Sequence, residues 1–94
     1  DVIAYADAMS NPSDPNTLVS DILKYLVRID ISQVNRDYIK TTYLLTGQTS
    51  DIYWTQAWNL FNVDRTNTIN KNVVKSRLQQ MLKYIIDLAE YQIA

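Results

Sequence analysis

Residues 44–61 read LLTGQTSDIYWTQAWNLF. Gly47, the sole glycine of the chain, stands where a left-handed residue would close one helix. Thr49 or Ser50 can then cap the next helix, and Asp51 is favourable in its first turn. Between Tyr53 and Phe61 lie both tryptophans, the one phenylalanine and one of the seven tyrosines. At about 100° per residue, Leu60, Tyr53, Ala57, Phe61, Trp54 and Trp58 fall on a continuous arc of roughly 160°. Gln56, Asn59, Thr55 and Asn62 fall opposite. The stretch therefore predicts the end of one helix, a four-residue turn and an amphipathic aromatic helix. A turn so short predicts antiparallel packing of the two helices it joins.

The same grammar holds on either side. Asp14 before Pro15 is a helix start, because the carboxylate caps free amides and proline loses nothing at the first helical position. Leu18, Val19, Ile22, Leu23, Leu26 and Val27 then recur at three- and four-residue spacing, which predicts a helix to about Arg28. Ser32 can cap a second helix that places Val34, Tyr38, Thr42 and Leu45 on one side and Ile39, Tyr43 and Leu44 elsewhere, a pattern of contacts on more than one face. After the polar loop Asn62–Thr68, a last helix from about Asn70 carries Val74, Leu78, Met81, Leu82, Ile85, Leu88 and Ala89 along one face. Residues 1–14 read as a lead-in segment, helix-compatible at first, ending in the breaker cluster Ser10–Asp14. The expected architecture over residues 1–94 is one all-α domain, a small bundle of four main helices with short connections and this lead-in segment.

Composition limits the chemistry. The chain has 94 residues, 47% of them apolar, one glycine and two prolines, which is the profile of an ordered globular chain. It contains no cysteine and no histidine. That removes disulfides, thiolate ligands, imidazole ligands and the side chain most used for acid–base work near neutral pH. Nine basic and ten acidic residues give a net charge of −1 without charge blocks, so no nucleic-acid footprint is present. No apolar run approaches the roughly 20 residues of a membrane span. The chain begins at Asp1 without methionine, which reads as a processed or excised piece of a longer protein.

Candidate sites are few. From Asp64, alternate oxygen-bearing residues imitate a calcium loop, but Ile69 takes the place of its glycine and Lys75 that of its bidentate glutamate. A polar interhelical loop with Asn67 or Thr68 as a helix cap is the simpler reading. The hydroxyls of the 47–51 turn read as caps, since Asp51 already supplies negative charge there. The acids are nine aspartates and Glu90, and no two share an apolar helical face. No catalytic, cofactor or metal residues are expected. The aromatic arc is wider than one neighbouring helix covers, so its edges, Trp58 on one side and Tyr53 and Leu60 on the other, are the candidate interaction surface. Tyr84 and Tyr91, seven residues apart at the edge of the last helix, join them.

Leu44–Trp58, followed by RLQQMLKYIIDLAEYQIA at Arg77–Ala94 with its Glu90-Tyr91-Gln92 ending, resembles the C-terminal region of the long bacterial proteins grouped as domain of unknown function 1800. The NPSDP loop at residues 11–15 is similar as well. The resemblance spans nearly the whole chain and only the last part of a family member. It implies a C-terminal helical module of an exported bacterial protein, periplasmic or at the cell surface, and it supplies no reaction. The expected role is a non-catalytic accessory or interaction module whose partner is the remainder of the parent chain or another protein. A small module that binds a glycan or peptide on its aromatics is the alternative, and one wall of an active site completed upstream is a third.

Overall fold

A computed structural model describes residues 1–28 and 30–93, with side chains through residue 91. Its elements are α1 (Val2–Asp7), α2 (Pro15–Ile22), α3 (Gln33–Ile39), α4 (Ile52–Val63) and α5 (Thr68–Ile93). The chain is all-α, a bundle of four main helices, α2–α5, joined by short connections after a lead-in segment that itself contains the short helix α1. The Gln92 side chain and Ala94, the end of the family-like terminal motif, lie outside the described residues.

The starts follow from the capping residues. Asp14 accepts from the Asn16 amide at 3.0 Å ahead of Pro15, and Ser32 accepts from the Asn35 amide at 3.3 Å. The Asn67 side chain accepts from the Asn70 amide at 3.1 Å and starts α5 at Thr68. Asp64 closes the preceding turn by accepting from the Thr66 amide and hydroxyl at 3.0 and 2.6 Å. Gly47 has φ +86°, as the helix-closing position requires. The Ser50 hydroxyl accepts from the Ile52 amide at 3.4 Å. Asp51 stands at the N-cap of α4, yet its carboxylate turns away to Lys40 and Asn16, at 3.0 and 2.8 Å.

Two π turns were not expected. α2 runs on into Leu23–Val27 and α3 into Lys40–Leu44, each closing its hydrogen bonds one residue later than an α-helix does. The extra residue rotates the side chains after it and brings Leu44, five residues on, to the same buried side as Ile39. The expected stripe Val34, Tyr38, Thr42 and Leu45 is therefore corrected: Val34 is 77% exposed and Tyr38 is exposed, while Ile39, Leu44 and Leu45 enter the core. The first π turn ends at Arg28, whose φ of +56° breaks the helix without a glycine.

α5 is the central element, packed against α1, α4 and both π turns. Val74, Leu78, Met81, Leu82 and Ile85 form its buried stripe. The expected antiparallel packing of α3 on α4 is also corrected. α4 and the end of α3 both lie against α5 instead of along each other. Side-chain ties fix the periphery. Lys40, Asn16 and Asp51 bond mutually and join α2, the end of α3 and the start of α4.

Candidate functional site

α4 divides its aromatic arc between core and surface. Trp54, Trp58 and Phe61 are buried. Their rings meet in sequence, Trp54 on Trp58 at 5.9 Å and Trp58 edge-on to Phe61 at 5.4 Å, within the range of favourable aromatic pairs. The Trp54 indole N–H donates to the Pro12 carbonyl at 2.8 Å, and the Thr55 hydroxyl donates to the Ser13 carbonyl at 2.8 Å. The loop before α2 is thus fastened across the first turns of α4. Arg65 closes the other end: its guanidinium lies 4.8 Å from the Phe61 ring and 5.8 Å from the Trp58 ring while gripping Asp7 through two 2.8 Å bonds. That grip holds the Asp7 carboxyl below its ordinary pKa.

The expectation that Trp58 reaches solvent is corrected by this arrangement, since Trp58 is only 4% exposed. The tryptophan side of the arc is covered by several pieces: the 10–14 loop on Trp54, Arg65 on Trp58 and Phe61, and α5. The opposite edge is open. Tyr53 is 47% and Leu60 59% exposed, and Val63 and Val73 are exposed as well. Two adjoining clefts run along this face. One, of about 230 Å³, lies between α4 and α5 against Tyr53, Ala57, Leu60 and Val73. The other, of about 390 Å³, continues over Leu60 and Val63, with Gln56 and Leu60 shared by both.

Arg77 seals one end of this face. Its guanidinium donates to the Leu44 carbonyl at 3.1 Å and to the Tyr53 carbonyl at 3.2 Å, linking the end of α3 to α4 from α5. Burial lowers its pKa from the ordinary arginine value. The contact satisfies a carbonyl at a helix end, where no intrahelical donor is available. Arg77 gave no signal in the sequence, because a lone arginine on the flank of an amphipathic helix looks like any solvated charge.

The other two expected residues lie elsewhere. Tyr84 is half-buried, its ring 5.7 Å from Tyr38 and 5.3 Å from Tyr43, so it lies along the neighbouring helix. Burial, reinforced by Tyr38, Tyr84 and Asp87, pushes the Tyr43 phenol up. Tyr91 is 82% exposed, about 27 Å along α5 from Val73 at 1.5 Å per residue. The structure thus brings together Tyr53 and Leu60 and leaves Tyr84 and Tyr91 outside the face. Val63 and Val73 join it unexpectedly, Val63 from a helix end where periodicity is weakest.

Most of the acidic side chains are occupied structurally. Eight of the nine aspartates accept hydrogen bonds from caps, turns or side chains: Asp1, Asp7, Asp14, Asp21, Asp30, Asp37, Asp51 and Asp64. Among the described residues no three His, Cys, Asp or Glu side chains gather as a metal site would need, and no helix is long and apolar enough to cross a membrane. No family model, curated protein or solved structure matches the chain.

Proposed function

We propose that this chain is a non-catalytic helical interaction module that docks another protein surface onto the open face of α4 and α5. The observation that carries the reading is the contiguous exposed apolar set Tyr53, Leu60, Val63 and Val73 along two joined clefts. Large side chains scattered singly on a surface need no explanation, whereas a contiguous apolar patch rimmed by polar residues is typical of an interaction site. Gln56, Asn59 and Asn70 supply that rim. On the resemblance of Leu44–Trp58 and Arg77–Ala94 to the C-terminal region of the domain-of-unknown-function-1800 proteins, the docked surface belongs to the remainder of a longer exported bacterial chain. A periplasmic or cell-surface location accompanies that reading.

The glycan-platform alternative is weakened by the burial of both tryptophans, the rings best suited to stack on a sugar. Docking is tested by adding the preceding region of the parent chain in trans to the ¹⁵N-labelled chain and following amide shifts. Perturbations confined to residues 52–63 and 69–77, and lost in Leu60→Glu/Val63→Glu, support the reading. Absence of binding, or equal binding by the double variant, refutes it. Both positions are exposed, so the double variant is expected to keep its stability within about 0.5 kcal/mol per site.

A further inference from the structure

A separate cleft, independent of the docking face, opens where α2 ends. It has a volume of about 420 Å³ and gathers three of the nine basic residues of an otherwise slightly acidic chain: Lys24, Arg28 and Arg36. Two departures from regular helix bring them together. The π turn Leu23–Val27 changes the direction of the side chains after Ile22, and π turns recur at functional sites. Arg28 then holds a left-handed conformation, φ +56°, that a residue with a side chain adopts at a cost.

Arg36 is poorly used within the chain. Among the described residues its guanidinium makes one hydrogen bond, from Nη2 to an Asp30 carboxylate oxygen at 3.2 Å, out of five available N–H donors. Among the described residues its Nε, shielded from solvent, donates to nothing. Asp30 is a loose partner, since its side chain is 97% exposed and the contact is end-on rather than forked. The second acid of the cleft, Asp21, is already engaged by the Ser10 amide and hydroxyl at 3.3 and 2.7 Å. Lys24 rests over the Tyr25 ring at 5.1 Å, an exposed contact that leaves its ammonium free to turn.

We propose that this cleft is an oxyanion site, in which the carboxylate or phosphate group of a small ligand replaces Asp30 on Arg36 and is flanked by Lys24 and Arg28. The Asp30 carboxylate marks where the ligand's oxygens sit. Displacing it removes one negative charge from the lining and lets the guanidinium meet an anion along an edge, where two parallel hydrogen bonds form.

The test is a titration of the ¹⁵N-labelled chain with inorganic phosphate and, separately, with succinate, each against sodium chloride at equal ionic strength. Saturable shifts at the amides of residues 24, 28 and 36 and at the Arg36 side-chain N–H, beyond those with chloride, are expected. Whichever of the two anions saturates at lower concentration identifies the ligand as phosphate or carboxylate. Asp30→Asn is expected to tighten binding about fivefold, the effect of removing one unit charge a few ångströms away in water. Arg36→Gln abolishes saturation and Lys24→Gln weakens it, with far-UV circular dichroism confirming the fold of each. Lys71→Gln, at a different cleft, leaves it unchanged. Shifts no larger than with chloride, an unaltered response in both Arg36→Gln and Lys24→Gln, or no gain in Asp30→Asn would overturn the proposal.

Discussion

Replacement of Trp54 probes the junction on which the aromatic helix depends. The side chain is fully buried, stacked on Trp58 and hydrogen-bonded through its indole N–H to Pro12. Alanine there removes a large buried ring and leaves a cavity, a change that typically costs about 3–5 kcal/mol. A chain of this length has roughly 5–14 kcal/mol in all, so the variant loses between about a fifth of its stability and all of it. With a urea slope on the order of 2 kcal/mol/M, the midpoint falls by about 2 M. Trp54→Phe separates the contributions. It keeps a ring in the core, loses the bond to Pro12 at about 1 kcal/mol and loses on the order of 1 kcal/mol more through the smaller ring. At about 4–8 °C per kcal/mol, that variant melts roughly 8–16 °C lower. The assay is urea and thermal denaturation followed by circular dichroism at 222 nm. If both variants stay within about 0.5 kcal/mol of the wild type, as surface substitutions do, Trp54 is not core and the division of α4 into a buried and an open side is wrong.

Arg77→Met keeps the aliphatic stem but loses the bonds to Leu44 and Tyr53, and is expected to cost about 2 kcal/mol in urea denaturation, with Arg77→Lys between it and the wild type. Gly47→Ala meets no atom within 4 Å, so its cost of about 1–2 kcal/mol is purely that of a left-handed backbone, and asparagine is expected to lose less in a thermal melt. Acid destabilises the fold through Asp7 and Asp51, lowered mainly by hydrogen bonds from Arg65 and Lys40 respectively. Because the folded values lie below the unfolded ones, the stability they contribute is complete above the ordinary carboxylate range and is lost as pH falls through the lowered values. Urea midpoints measured across that range are expected to fall less steeply in Asp7→Asn and Asp51→Asn than in the wild type.

Local signals in the sequence carried most of the fold. Asp14 with Pro15, Ser32, Asn67 and Gly47 act through interactions a few residues away, so their roles are readable without tertiary information. The π turns were illegible because no residue type marks them, and packing against α5 selects them over a regular helix. That is why the face of α3 was misassigned while the buried stripe of α5 was not. Within the candidate face, Tyr53 and Leu60 were found from helical spacing alone. The burial of Trp58 was not, because part of its cover comes from Arg65, held over the ring by Asp7 from the far end of the chain, a contact that periodicity does not contain. Val63 was missed for a related reason. At helix ends a spacing rule has too few neighbours to decide which way a side chain faces.

α4 turns its tryptophans inward while Tyr53 and Leu60 remain open to solvent, and acrylamide quenching of tryptophan emission measures that division directly in the single-tryptophan variants Trp54→Phe and Trp58→Phe. Blue-shifted emission and strong shielding from both remaining indoles are the predicted result. Red-shifted, readily quenched emission from Trp58 in the folded Trp54→Phe variant would contradict it and return the open surface to the tryptophan edge of the helix.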